Sequence, residues 1–155
     1  MIDLHMSRMA MRILEKKQVS DFAQSAVAHV FPGVSADLSI TIRDDAFIRQ
    51  YNQAFLGSDS ATDVLSFPAH EPDPETGQLF LGDIVLSIET IERQAAKAGH
   101  SPFIEAQLLI LHALLHIKGL DHDTQATKDA MWAEQDKLLT HFAVAVKALP
   151  ENNDH

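Results

Sequence analysis

The chain has 155 residues, 46% of them hydrophobic, no cysteine, and a formal net charge of −10. Length and composition suit a globular domain with a real core, and the missing cysteine excludes disulfides and thiolate ligands, so a bound metal would be held by nitrogen or oxygen. The acidity argues against broad electrostatic binding of nucleic acid, which needs Lys and Arg to neutralise phosphates, but leaves room for a small basic cleft.

Residues 2–6 alternate apolar and polar and predict a short strand; residues 8–17 fit either a helix or irregular chain. Residues 19–31 set Phe22, Ala23, Ala26, Val27 and Val30 at helical spacing, with Asp21 near the start and Pro32-Gly33 as the stop. Residues 37–43 alternate cleanly, Leu38, Ile40 and Ile42 against Ser39 and Thr41, and predict a half-buried strand. Asp44-Asp45 caps a helix over residues 46–55, followed by a polar connection at 57–61.

Residues 63–67 predict a strand ending at Pro68, and 71–78, with Pro72, Pro74 and Gly77, a loop. Residues 79–88 hold a second apolar strand at 84–86, opened by Gly82-Asp83, so the two strands read as a hairpin with an extended tip. Ser87 caps a helix over 88–98 that Gly99 ends, and Ser101-Pro102 opens the next. Residues 103–117 are apolar nearly all round, which predicts a helix buried on most sides. Asp123 caps a last helix over 124–149, with Met131, Leu138, Phe142 and Val146 facing inward and Trp132 in the core. The order β-α-β-α-β-β-α-α-α implies an α/β (α+β) fold: one mixed sheet of about four strands packed by five to six helices. No leader peptide is legible and no apolar run reaches bilayer length, so a cytoplasmic protein without membrane contact is expected.

The chemistry concentrates in His112-Ala-Leu-Leu-His116-Ile-Lys-Gly119-Leu-Asp121-His122. Two imidazoles four residues apart share one helix face, because each residue turns the chain by about 100°. His122 can join them only if the helix ends first, and Gly119 is where it can end, since glycine takes the left-handed conformation without a Cβ clash. Three neutral imidazoles with an open fourth position form the arrangement of a catalytic zinc site, one ion per chain, here at the end of a buried helix. Residues 1–150 therefore read as a single metallohydrolase-like domain, and 151–155 as a frayed tail. The other histidines (His5, His29, His70, His100, His141, His155) lack such spacing and read as surface or boundary residues. Metzincin proteases share the H-x3-H-x5-H spacing, but their general base is a glutamate after the first histidine. Here that position is Ala113, which cannot move a proton.

The histidine motif resembles the YbeY family signature H-G-x-L-H-L-x-G-Y-D-H. Thr62-Asp63-Val64-Leu65-Ser66-Phe67-Pro68 is similar to the family's T-D-V-L-S-F-P, and Leu81-Gly82-Asp83-Ile84 to its L-G-D-I. The resemblance spans about residues 36–142. It implies a zinc-dependent endoribonuclease that cleaves single-stranded RNA and acts in ribosomal RNA maturation and ribosome biogenesis, with the small ribosomal subunit as a partner. It implies zinc held by His112, His116 and His122, and raises Asp63, Ser66 and Asp83 to cleft candidates. Asp121 could orient a ligand histidine through its free ring N–H, or serve as a turn carboxylate. Ala113 and Leu120 replace the motif's glycine and tyrosine as packing changes. Leu56 stands where the family pattern has an arginine, and leucine offers no charge to a phosphate. Either another cation serves, with Lys118, Arg49 and Arg93 as candidates and Lys118 taken as substrate-binding, or activity on RNA is weak or altered. Two other readings stay open: a metallohydrolase of another substrate class, and a non-catalytic ribosome-associated factor with structural zinc.

Overall fold

A computed structural model describes residues 1–56, 64–72, 75, 78–119 and 125–144. The elements run β1 (Ile2–Met6), α1 (Arg8–Ile13), α2 (Lys16–Val30), β2 (Ala36–Arg43), α3 (Asp45–Leu56), β3 (Val64–Pro72), β4 (Leu79–Ser87), α4 (Ile88–Ala98), α5 (Pro102–Ile117) and α6 (Gln125–His141). The four strands make one mixed sheet in the order β1-β2-β4-β3. β1 pairs with β2, and β2 with β4, in parallel; β3 runs antiparallel to β4 along the edge. This is the expected α/β (α+β) architecture.

Strand chemistry decides which face carries the core. Leu38, Ile40 and Ile42 of β2 and Ile84 and Leu86 of β4 are fully buried on one face, where they join apolar side chains of α2 and α5. β4 lies between two neighbours and is covered on both faces. Val85 points the other way, into a second, smaller cluster with Ile48, Phe47 and Tyr51 of α3. That double burial is why Ile84-Val85-Leu86 reads as a continuous apolar run.

The ambiguous stretch 8–17 resolves into two helices. Ser7 caps α1 by accepting from the Ala10 N–H at 3.2 Å, and α2 starts at Lys16, one turn before its apolar face begins. β3 runs through Pro68 to Pro72 instead of stopping at the first proline. It pairs on one side only, and an edge strand tolerates a residue with no N–H. The ladder is irregular between Pro68 and Glu71, and Glu71 and Pro72 pair with Phe80 and Leu79 where a loop was expected.

The last helix is the other correction. α6 ends at His141 rather than running to residue 149. Ala143 takes a left-handed φ of 54°, Val144 N–H bonds Leu139 C=O at 2.9 Å, and Ala143 N–H bonds Thr140 C=O at 3.2 Å. These two bonds close the helix as a Schellman motif, with Val144 and Leu139 both buried beneath it. The expected cap at Asp123, the inward Val146 and the tail from residue 150 lie outside the described residues. Among the described residues, no helix is long and apolar enough to cross a membrane.

Candidate functional site

α5 starts as its sequence predicts: Ser101 Oγ accepts from the Ile104 N–H and Pro102 sits in the first turn. From there its side chains are buried on almost every side, including Leu108, Leu109, Leu111, Leu114 and Leu115. This helix carries His112 and His116. His112 is buried and His116 half-buried, and their ring centroids lie 4.8 Å apart at an interplanar angle of 73°. The i, i+4 spacing thus places both rings on one face, as expected. The helix closes at Ile117. Lys118 N–H bonds Leu114 C=O and Gly119 N–H bonds His116 C=O, and Gly119 adopts a φ of +107°. The helix thus ends where that glycine was expected to end it.

His122 and Asp121, with Asp63 in the connection before β3, lie outside the described residues. Among the described residues, no group of three His, Asp or Glu side chains is set to hold a metal. Ser66 sits on β3 opposite Ile84 of β4; its side chain, like that of Leu56, is outside the description. Asp83 does not join the histidines. It alternates with Ile84 and so lies on the α3 face of the sheet, opposite the core that α5 shares. There burial, and secondarily the Asp83 charge, push the Tyr51 phenol above its ordinary pKa.

Two neighbours of His112 come from α6. Gln135 is fully buried, and its amide oxygen lies 3.0 Å from His112 Nδ1. An amide oxygen only accepts, so Nδ1 carries a proton, and in the neutral ring the lone pair is then on Nε2. That is the donor nitrogen a metal ligand needs, and two imidazoles on one face, in their neutral form, fit a divalent ion of zinc type. Trp132 is half-buried rather than core, its ring 6.4 Å from His112. Sequence reading missed Gln135, because a glutamine at mid-helix has no spacing signature; only its helical phase with buried Met131 and Leu138 marked an inward face.

The cations divide. Lys118 is exposed one residue past the end of α5, and Arg49 is exposed on α3. Arg93 is committed elsewhere: its Nη2 lies 2.9 Å from Asp45 Oδ2 and 3.0 Å from Thr90 Oγ1. Asp45 also takes hydrogen bonds from Ser87 and Thr90, joining the start of α3 to the start of α4. Burial pushes its carboxyl up, but those bonds and the Arg93 charge outweigh it and hold the pKa below the usual carboxylate range. His5 pairs with Asp3 on the surface, and the exposed His29 and His141 stack at 3.9 Å. His100 is a correction: its side chain is 1% exposed and contacts Glu105.

A family model described as Endoribonuclease YbeY matches residues 4–143. The chain is 40% identical over 123 residues to "Endoribonuclease YbeY" of Moorella thermoacetica, covering 75% of this chain and 79% of that one. It is 39% identical over 105 residues to "Endoribonuclease YBEY, chloroplastic" of Arabidopsis thaliana, covering 68% of this chain but 18% of that longer one. The solution structure of TM1509 from Thermotoga maritima matches with a TM-score of 0.58 at 19% identity over the whole of both chains, a likeness of fold alone.

Proposed function

We propose, proceeding from the fact that this chain belongs to the endoribonuclease YbeY family, that it is a zinc-dependent endoribonuclease. It cleaves single-stranded RNA, in the cytoplasm, in the course of ribosomal RNA maturation and in association with the small ribosomal subunit. The family match over residues 4–143 carries this reading. The placement of His112 and His116 on one buried helix, with Nε2 of His112 as the lone-pair nitrogen, supports its metal component.

In this reading His112 and His116 hold the ion from α5, and His122 completes the set after the turn at Gly119. A bound zinc ion would supply a Lewis acid and lower the pKa of a water to about 7. Asp121 orients a ligand ring, Asp63 and Ser66 line the cleft, and the exposed Lys118 meets a backbone phosphate. Metal analysis of the purified protein, paired with cleavage of a labelled single-stranded RNA, tests the proposal. The expected result is one zinc per chain, with both zinc and cleavage lost in His112→Ala. Cleavage that persists at full rate in metal-free protein would refute it.

Leu56 and the net charge of −10 favour a second reading, a metallohydrolase acting on another substrate class. A panel of RNA, small phosphodiesters and peptides separates the two, since only the first requires RNA to be the best substrate.

A further inference from the structure

We propose that Gln135 is a positioning residue for the metal site. Its amide oxygen fixes the His112 ring in the Nδ1–H form and so makes Nε2 the ligand nitrogen. The inference rests on the metal reading above and goes beyond it, by assigning a role to a residue of α6 that no motif marks.

The geometry is specific. His112 and Gln135 are 23 residues apart and on different helices, both buried, and meet at 3.0 Å through the one atom of Gln135 that can only accept. A neutral imidazole carries one ring proton, and the acceptor decides which nitrogen has it. With the proton held at Nδ1, the ring also loses its freedom to flip, because a flipped ring would present a carbon to the amide oxygen. Ring orientation and tautomer are therefore set before any ion arrives.

A second observation concerns the other end of the amide. Gln135 Nε2 is buried and has no hydrogen-bond partner among the described residues. A buried amide with an unmet donor weakens a core that leucine or methionine would fill without loss. Such a group calls for an explanation outside packing, and control of the His112 ring provides one. The amide is also uncharged. It orients the ring without adding a negative charge, so it raises ligand basicity less than a carboxylate in the same place would.

The test compares wild type, Gln135→Met and Gln135→Glu. Gln135→Met keeps side-chain shape and removes the acceptor; Gln135→Glu restores an acceptor and adds charge. Zinc affinity is measured by competition with a chromophoric chelator, and imidazole 15N chemical shifts of the metal-free proteins report which nitrogen bears the proton. Affinity should fall about 10- to 100-fold in Gln135→Met and recover in Gln135→Glu. The His112 shifts should show an Nδ1 proton in wild type and a mixture in Gln135→Met. Equal zinc affinity in wild type and Gln135→Met overturns the proposal, as does an Nε2 proton on His112 in metal-free wild type. Wild type that takes up no zinc overturns the metal reading itself. The 15N measurement on wild type decides the matter even if Gln135→Met does not fold.

Discussion

His100 Nε2 and Glu105 Oε1 lie 2.7 Å apart, with 1% and 3% of their side chains exposed. The pair joins the residue after Gly99, where α4 ends, to the first turn of α5, so it clamps the entry of the helix that carries His112. Taking the imidazole away removes a short contact from a buried carboxyl. His100→Ala should lower stability by about 3 kcal/mol, read as a shifted urea midpoint at unchanged m-value. A loss under 1 kcal/mol would mean that the pair adds little to the clamp.

Asp45 gives a pH signature. Hydrogen bonds from Ser87, Thr90 and Arg93, with the Arg93 charge, depress its folded pKa against the opposing effect of burial. A depressed acid contributes stability above its unfolded pKa of about 3.9 and loses it as pH falls through the lower folded value. Asp45→Asn should therefore be less stable than wild type at pH 7. The difference should shrink as pH drops below about 4, in denaturant titrations taken from pH 7 to pH 2. A difference that does not change with pH would assign the effect to shape rather than charge.

Gly119 separates space from strain. An added Cβ would meet nothing within 4 Å among the described residues, yet the φ of +107° is one that L residues rarely adopt. Gly119→Ala should cost about 1–3 kcal/mol of stability. Because the turn leads toward His122, it should also weaken zinc uptake more than a surface Ala does. Thermal unfolding and a zinc titration on the same preparation check both; an unaffected zinc affinity would separate this turn from the metal site.

Leu56 is the family arginine's missing charge. Leu56→Arg should raise kcat/KM on single-stranded RNA. It should also steepen the salt dependence of RNA binding by about 0.7 in log–log slope, as one added phosphate contact does. An unchanged slope would show that Arg at this position does not reach the backbone of the substrate.

Much of this was legible because single residues carried the signal. His112, His116 and Gly119 announce two imidazoles on one helix face and the end of that helix by spacing alone, and Leu38, Ile40 and Ile42 mark their strand by strict alternation. What was hidden depends on partners distant in sequence. Pro68 stays in a strand because that strand is an edge, a fact of sheet order rather than of local chemistry. Ala143 ends α6 although alanine is the best helix former, since the buried Val144–Leu139 contact decides there. His100 sits between a glycine and a serine, a context that reads as surface, yet its side chain is buried against Glu105. Gln135 is invisible without His112. Strand alternation places Asp83 on the α3 face of the sheet, where its charge acts on Tyr51.

The all-round burial of α5 has a thermodynamic consequence. Side-chain freedom at residues 112 and 116 is surrendered when the sheet and helices close, so on the proposed metal reading the entropy of ordering these two rings belongs to folding and not to ion capture. Under the proposed metal reading, the two imidazoles of α5 are set before an ion arrives, unlike the ligands of a zinc finger that collapses only around its metal. Stripping the ion should leave the scaffold standing and ready to be recharged.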